Sequence, residues 1–572
     1  MSGDGKEDSL FEVELDFENP SPWVRPNRPW EKMYQNVVYE GKKVNLPKTI
    51  KYPEIPIHYI GRQAALDYPN NVAVYYHPEE KKYTYRELMY FSDKLSAALA
   101  DLGIGKDDAV GIYMTNTPEF VFSIYGISQT GAAVTPINPL LKAPDIVHMV
   151  RDSGIIKSLI CTSNLYPSVQ QASEEVELEN VIVVGQKIPG TMDFWEVTEK
   201  YPPKPPEVTI NPREDVCALM YSGGTTGLPK GVMLTHYNIV ADVLASGYSQ
   251  IGEDRSVYGK DTILATLPIC HVFGFTMVQT YFYGKSMIIM YAGFDADLVM
   301  RDIEKYKSRA FVGIPLMYFV MVNHPNFRKY DLSSLKLAAS GADTLQGTVS
   351  EEWKKVTKLD VGQGYGLSEA GPVTHSQPVW LPKIANSIEI PLIDTDAKIV
   401  DLDTGTQELP PGEIGELMVR GPQIMKGYWK QPEKTKEAIT EDGWLHTGDL
   451  AQMDENGYFY VEGRFKEIIK YKGYKVLPDE VEDKLYQHSA VFECAVVGVP
   501  EPKVGETIKA FVVVKEEYKN KITEQEIRDW AKNEMAGYKW PRIVQFIDKL
   551  PRTPVGKVFR RKLREMDQSK EA

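Results

Sequence analysis

Tyr221 to Gly231 reads YSGGTTGLPKG. Glycines let backbone N–H groups crowd around an anion, and Gly223, Gly224 and Gly227 supply that freedom here. The hydroxyls of Ser222, Thr225 and Thr226 add donors, and Lys230 adds charge. A nucleotide phosphate is the natural guest of such a loop. The run is not a Walker A motif, in which Gly-Lys-Ser/Thr opens a helix. Here Pro229 precedes the lysine, Gly231 follows it, and the apolar run Val232-Met233-Leu234 reads as strand. By itself the stretch reads equally well as a glycine-rich hairpin turn.

Other runs carry groups suited to the same guest. Gln363-Gly364-Tyr365-Gly366-Leu367-Ser368-Glu369 is a second glycine-rich stretch, with the Glu369 carboxylate beside the Ser368 hydroxyl. Gly443 to Asp449, GWLHTGD, ends in an acid poised on a turn. Gly463 to Gly473, GRFKEIIKYKG, is basic and includes Arg464, Lys466, Lys470 and Lys472. Pro554-Val555-Gly556-Lys557 lies near the C-terminus.

These groups need elements to position them. Ala109-Val110-Gly111-Ile112-Tyr113-Met114 reads as a buried strand. Thr117, Pro118 and Glu119 form a helix start: a hydroxyl cap, a ring with φ preset, and an acid at the positive dipole end. Ala132 to Pro136 resumes as strand, so the region is a strand–helix–strand unit of a parallel sheet. Similar strands recur at 158–161, 181–184, 310–315 and 335–340, and Val216 to Met220 feeds the first glycine-rich loop. Between about 395 and 462 the pattern changes to strands separated by turns, a small antiparallel unit. Beyond 466 a helix, two strands and a helix suffice for a separate α+β domain. The expected fold is therefore α/β. A large multi-layer N-terminal domain holds mostly parallel sheets plus a small antiparallel, barrel-like unit, and a small mobile α+β domain follows. The expected boundaries are an irregular N-terminal wrap over 1–56, a main domain over 57–465 and a lid over 466–572.

A chain of 572 residues is too long for one core. Its formal charge of −14, with no long basic block, argues against nucleic acid or an anionic membrane as a general partner. Cys161, Cys217, Cys270 and Cys494 are scattered, which fits a reducing cytoplasm better than disulfides or zinc. The N-terminus lacks the pattern of a signal peptide, and no run approaches the length of a membrane span. A peripheral membrane contact and a homodimer stay open.

The five motifs, in this order, resemble those of the adenylate-forming superfamily: acyl-CoA synthetases, firefly-type luciferases and peptide-synthetase adenylation domains. The resemblance runs from about residue 60 to 565, and GG at 223–224 with DGWLHTGDL looks most like fatty acyl-CoA synthetases. It implies two steps. A carboxylate attacks the α-phosphate of ATP, giving acyl-AMP and pyrophosphate, and the thiol of coenzyme A then displaces AMP. It implies that the first loop, Thr226 included, cradles the β- and γ-phosphates, and that Glu369 ligates Mg²⁺ with Ser222 nearby. Adenine would stack between Gly341-Ala342 and Tyr365, Asp449 would accept the ribose hydroxyls, and Arg464 would meet ribose or phosphate. Lys557 would reach between carboxylate and α-phosphate, Lys466 would be the hinge, and Lys470, Lys472 and Gly473 would face coenzyme A. Read without the resemblance, Glu369 is a helix-start acid, Asp449 a turn cap, Tyr365 a core residue and the lysines a solvated surface.

His271 matches a position beside the substrate carboxylate, though a buried core histidine reads equally well. Phe273, Gly341 and Gly366 would line the acyl pocket. Relatives that take acetate carry Trp after the tyrosine of the second glycine-rich motif, where this chain has Gly366. That implies medium or long acyl chains, with an aryl or hydroxy acid as alternative. Nothing resembling a fused carrier domain follows Lys557, although transfer to a free carrier protein stays open. A nucleotide-binding acyl-AMP sensor is the non-enzyme alternative.

Overall fold

Ala109–Tyr113, Pro118–Gln129 and Ala133–Ile137 form one strand–helix–strand unit of the computed structural model, with the two strands parallel and in register. The Thr117 hydroxyl accepts the Phe120 N–H, as the helix-start signature requires. The structure describes residues 9–34, 37–39, 42–44, 46–222, 228–251, 258–376, 378–381, 383–472, 474–501, 505–552 and 558–571.

The chain forms two compact units, Met1–Asp396 with Val419–Leu445, and Ala397–Met418 with His446–Ala572. Two large sheets dominate the first unit. One has eight strands in the order Met192–Asp193, Asn180–Val184, Ile156–Thr162, Ala109–Tyr113, Ala133–Ile137, Val216–Ser222, Lys230–Thr235, Gly427–Tyr428. It is parallel as far as Val216–Ser222, and its last two strands turn antiparallel. The other runs Gly362–Gln363, Leu337–Ser340, Ala310–Gly313, Thr262–Ala265, Met287–Met290, Val72–Tyr76, Lys81–Thr84, antiparallel only at its last strand. Its inner strands Thr262–Ala265, Met287–Met290 and Ala310–Gly313 are mostly apolar and buried, as a helix-covered parallel sheet demands. Trp353, fully buried, stacks on Phe311 and meets Tyr318 edge-on, closing one side of that sheet.

The second unit has a sheet in the order Asp396–Val400, Gly415–Arg420, Leu445–Met453, Phe459–Arg464. Its other sheet pairs Gly505–Val514 with Val491–Glu501, Ile469–Tyr471 and Ile543–Phe546. Helices Pro478–Leu485 and Glu524–Glu534 pack beside it over a core that includes Val481, Leu485, Ile508 and Ile527. The expected α/β class, parallel in its large sheets and antiparallel in its small ones, is what the chain adopts. Among the described residues no helix is long and apolar enough to cross a membrane.

The described part of the N-terminal segment is tied to the rest of its unit. Its strand Glu14–Asp16 pairs antiparallel with Thr49–Lys51. Beyond that it grips residues 394–396. The buried Asp394 carboxylate accepts from Ser21 Oγ (2.5 Å), the Ile50 N–H (2.9 Å) and Tyr52 Oη (2.9 Å). Arg25 forks onto the buried Asp396, with Nε to Oδ2 at 2.9 Å and Nη2 to Oδ1 at 3.1 Å. Arg28 donates to the Thr395 carbonyl at 3.1 Å. Such buried carboxylates are tolerable only with donors of this kind.

Candidate active site

The first glycine-rich run joins two antiparallel strands, with Ser222 opposite Lys230 and Tyr221 opposite Gly231. It is thus a hairpin whose tip, Gly223, Gly224, Thr225, Thr226 and Gly227, lies outside the described residues. The base is anchored on helix Ala143–Ser153. Tyr221 Oη donates to Asp152 Oδ2 at 2.8 Å, and His148 Nε2 lies 2.9 Å from the Pro229 carbonyl oxygen. Gly231 answers a close approach: a Cβ there would sit 2.8 Å from Leu219 Cδ1 and 3.2 Å from Trp429 Cβ. The Trp429 N–H donates to the Gly231 carbonyl at 2.8 Å.

That last contact brings in Tyr428, which faces Val232 on the next strand. Tyr428 Oη donates to Glu369 Oε1 at 2.9 Å, and Lys230 Nζ lies 4.7 Å from the centre of the Tyr428 ring. Burial, then the charge and hydrogen bond of Glu369, push the Tyr428 hydroxyl upward in pKa, so it remains a proton donor. The Met425 N–H holds the Glu369 carbonyl at 2.9 Å. Lys230 and Glu369 therefore meet at one corner through Tyr428, with Ser222 opposite Lys230 on the neighbouring strand. Ser368 and Glu369 occupy a single 3-10 turn, Ser368–Ala370, rather than the start of an α-helix.

The carboxyl ends of the second sheet, where open parallel sheets characteristically bind ligands, hold another group of the candidate residues. Ser340 ends its strand opposite Gly313 and Gln363. The Gly341 N–H then donates to the Gly313 carbonyl at 3.1 Å, and the Gly364 N–H to the Ser340 carbonyl at 2.8 Å. Ala342 turns left-handed, with φ of 73°. A Cβ on Gly341 would lie 3.0 Å from the Phe273 ring, so Phe273 and Gly341 share a wall. His271 starts the Phe273 helix, Val272–Tyr283, and its Nδ1 accepts the Phe273 N–H at 3.2 Å.

Tyr365 pairs with His375 across a short antiparallel sheet, and their rings meet edge-on at 5.7 Å. Burial holds the His375 imidazole down to about 3. Gly366 is required by the backbone. A Cβ there would meet the Pro372 carbonyl oxygen at 2.0 Å.

In the second unit, Asp449 lies inside strand Leu445–Met453 opposite Arg464 rather than on a turn, with Arg464 Nε 3.1 Å from Asp449 Oδ1. Asp449 is buried and Arg464 exposed. Lys466 is exposed in the short turn Phe465–Glu467, whose Glu467 is held by Arg560 Nη1 at 3.0 Å. Lys470 lies on the hairpin strand Ile469–Tyr471, and its N–H donates to Glu506 Oε2 at 2.7 Å. Lys472 is left-handed, with φ of 51°, its Nζ over the Tyr471 ring. Gly473 and Lys557 lie outside the described residues.

Sequence reasoning did not find Tyr428. Its only signal is a pair of aromatics, Tyr428 and Trp429, between lysines, which resembles many exposed turns. A spatial partner of Glu369 that lies 59 residues away has no local signature.

The AMP-binding enzyme family matches residues 61–429, and the AMP-binding enzyme C-terminal domain matches residues 480–557. A long-chain-fatty-acid–CoA ligase of Bacillus subtilis (strain 168) is 35% identical over 577 residues, covering 95% of this chain and 98% of that one. ATP-bound MatB from Rhodopseudomonas palustris has a similar structure. Its TM-score is 0.82 at 26% identity, covering 91% of this chain and all of that one (100%). The anthranilate CoA ligase AuaEII, in complex with anthranoyl-AMP, gives a TM-score of 0.81 at 29% identity, covering 91% and 98%.

Proposed function

We infer the function from one premise: the chain belongs to the AMP-binding enzyme family. It is an acyl-CoA ligase of the AMP-forming kind. We propose that its acid is a medium- or long-chain fatty acid and that it acts through an acyl-adenylate, with pyrophosphate leaving first and AMP second. The observation that carries this reading is the corner where Lys230, at the base of the glycine-rich hairpin, and Glu369 both meet Tyr428. A cation and a carboxylate held on one tyrosine, next to a run rich in glycines and hydroxyls in the sequence, suit a triphosphate and its counter-ion.

In this reading Ser222, the loop glycines with Thr225 and Thr226, and Lys230 hold the β- and γ-phosphates as charge builds on the leaving pyrophosphate. Glu369 suits Mg²⁺. Among the described residues no group of three or more acidic, histidine or cysteine side chains could cage a metal. One carboxylate completed by phosphates and water is the usual Mg²⁺ arrangement. When bound, the ion would neutralise charge on the departing phosphates. Gly341, Ala342 and Tyr365 take the adenine, with Gly366 and Ser368 alongside. Asp449 accepts the ribose hydroxyls, and Arg464 supports that carboxylate or a phosphate. Lys557 orients the acid oxygen at the α-phosphate. Lys466 serves as a hinge between the half-reactions, and Lys470, Lys472 and Gly473 meet coenzyme A.

The acid enters beside His271 and lies against Phe273 and Gly341. The apolar helices Val272–Tyr283 and Pro315–Val322 suit a greasy guest. The Bacillus subtilis relative, named for long-chain fatty acids, supports the same choice. A second reading, an aryl acid, is favoured by the anthranilate ligase. The thiols Cys161, Cys217, Cys270 and Cys494 are free, which suits work in a reducing cytoplasm.

The test is pyrophosphate release on adding ATP, Mg²⁺ and a panel of fatty and aryl acids, followed by coenzyme A. Release that depends on fatty acid, with acyl-CoA formed on adding the thiol, is the expected result. Release with aryl acids alone selects the second reading, and no acid-dependent release with any member refutes both.

A further inference from the structure

Asp449 sits in an irregular strand, and something must hold it. Gly448, the residue before it, is left-handed at φ 72°, a conformation foreign to a regular strand. Nothing lies within 4 Å of where its Cβ would be, so glycine is needed for the backbone angle and not for space. The N–H of Gly448 is taken by a side chain: Glu416 Oε1 accepts it at 3.0 Å. The other oxygen of the same carboxylate, Oε2, lies 3.0 Å from His446 Nδ1. One carboxylate thus straddles the run His446–Gly448 from the neighbouring strand Gly415–Arg420. Thr447 completes the brace. Its hydroxyl donates to the Leu417 carbonyl at 2.7 Å and accepts the Asp449 N–H at 3.1 Å. On the far side, Arg464 Nε reaches Asp449 Oδ1 at 3.1 Å.

We propose that Glu416 is a positioning residue for Asp449: it fixes the left-handed step at Gly448 and so aims the Asp449 carboxylate at the vicinal hydroxyls of the nucleotide ribose. The inference rests on the reading of Asp449 as the ribose acceptor. Accepting two hydroxyls with one carboxylate is sensitive to direction, and a site of this kind must be held to about 0.5 Å. Without Glu416 the Gly448 N–H loses its acceptor, the step relaxes, and discrimination for the ribose goes with it.

The test uses the full chain and a ratio, kcat/KM for ATP over kcat/KM for 2′-deoxy-ATP and for 3′-deoxy-ATP, read as pyrophosphate release with one saturating fatty acid. Both nucleotides are measured on the same preparation, so a misfolded fraction cancels. Asp449→Ala is the control and should collapse the ratio towards one. Glu416→Ala is expected to cut the ratio by about tenfold, the scale of one lost hydrogen bond to a charged group. The KM for the fatty acid should stay within about twofold. Glu416→Gln keeps an acceptor for Gly448 and should restore most of the ratio. If Asp449→Ala collapses the ratio while Glu416→Ala leaves it unchanged, Glu416 does not position Asp449. If Asp449→Ala itself leaves the ratio intact, the ribose reading fails and takes this inference with it.

Discussion

Tyr428 donates its hydroxyl to Glu369 across 2.9 Å while its ring lies 4.7 Å from the Lys230 ammonium, tying an acid and a base to one side chain. Tyr428→Phe keeps the ring and removes the donor. The Mg²⁺ concentration for half-maximal adenylation should rise by about threefold to tenfold, one hydrogen bond to a charged acceptor. The KM for the fatty acid should not move. Glu369→Gln should cost about a hundredfold or more in the same assay. A Mg²⁺ titration of pyrophosphate release separates the two.

Lys557→Ala is expected to lower acyl-AMP formation by about 10²- to 10³-fold, the usual cost of one preorganised charge at a developing anion. Thioester formation from preformed acyl-AMP should survive within about threefold. Equal loss of both half-reactions would remove Lys557 from its assigned role.

Lys466 sits in a single turn whose neighbour Glu467 is pinned by Arg560. A proline at 466 fixes φ and resists rotation there. Lys466→Pro should slow thioester formation by about tenfold and leave adenylation within about twofold. Rapid-quench measurement of each half-reaction reads this directly, and a selective loss of adenylation would overturn the hinge assignment.

Fatty chains should be selected by length. Each buried methylene contributes about 0.8 kcal/mol, or roughly fourfold in kcat/KM, until the pocket ends. Gly341→Ala places a methyl 3.0 Å from the Phe273 ring, so the ring must give way. The preferred chain should shorten, seen as a lower plateau in a series of saturated acids.

Much of this was legible beforehand, and for a reason. The Thr117–Pro118–Glu119 helix start encodes a local backbone need, which leaves a local signature, whereas the glycines at 223, 224 and 227 lie outside the described residues. The strand–helix–strand order follows from apolar periodicity. What stayed hidden depends on partners far apart in the chain. Tyr428 reaches Glu369 over 59 residues, and Glu416 reaches Gly448 over 32. Gly366 illustrates a different limit. Its missing side chain suggests an open pocket floor, and the structure adds a separate reason for glycine, the Pro372 carbonyl where a Cβ would go.

Stability should fall on mild acidification. Burial pushes the His236 imidazole down to about 4 and His375 down to about 3, and lowers His58 well below its ordinary value of 6.5. The folded pKa values lie below the unfolded one. The stabilisation is therefore complete above pH 6.5 and is lost as pH drops from 6.5 towards 4, where only the unfolded chain takes up protons. His236 and His375 should each cost about 2 kcal/mol between pH 6.5 and 5. Calorimetric Tm values across pH 7.5 to 5 check this, and His375→Asn should shallow the slope by about 1.4 kcal/mol per pH unit.

The grip of residues 21–52 on Asp394 spans as many as 373 positions. During synthesis at about 5–20 residues per second, Ser21 must wait roughly 20 to 75 s before its acceptor leaves the ribosome. The nascent N-terminus is therefore made first but secured only after Asp394 has been made. A defect that stalls elongation before Asp394 is made should show first as protease cleavage between Ser21 and Tyr52.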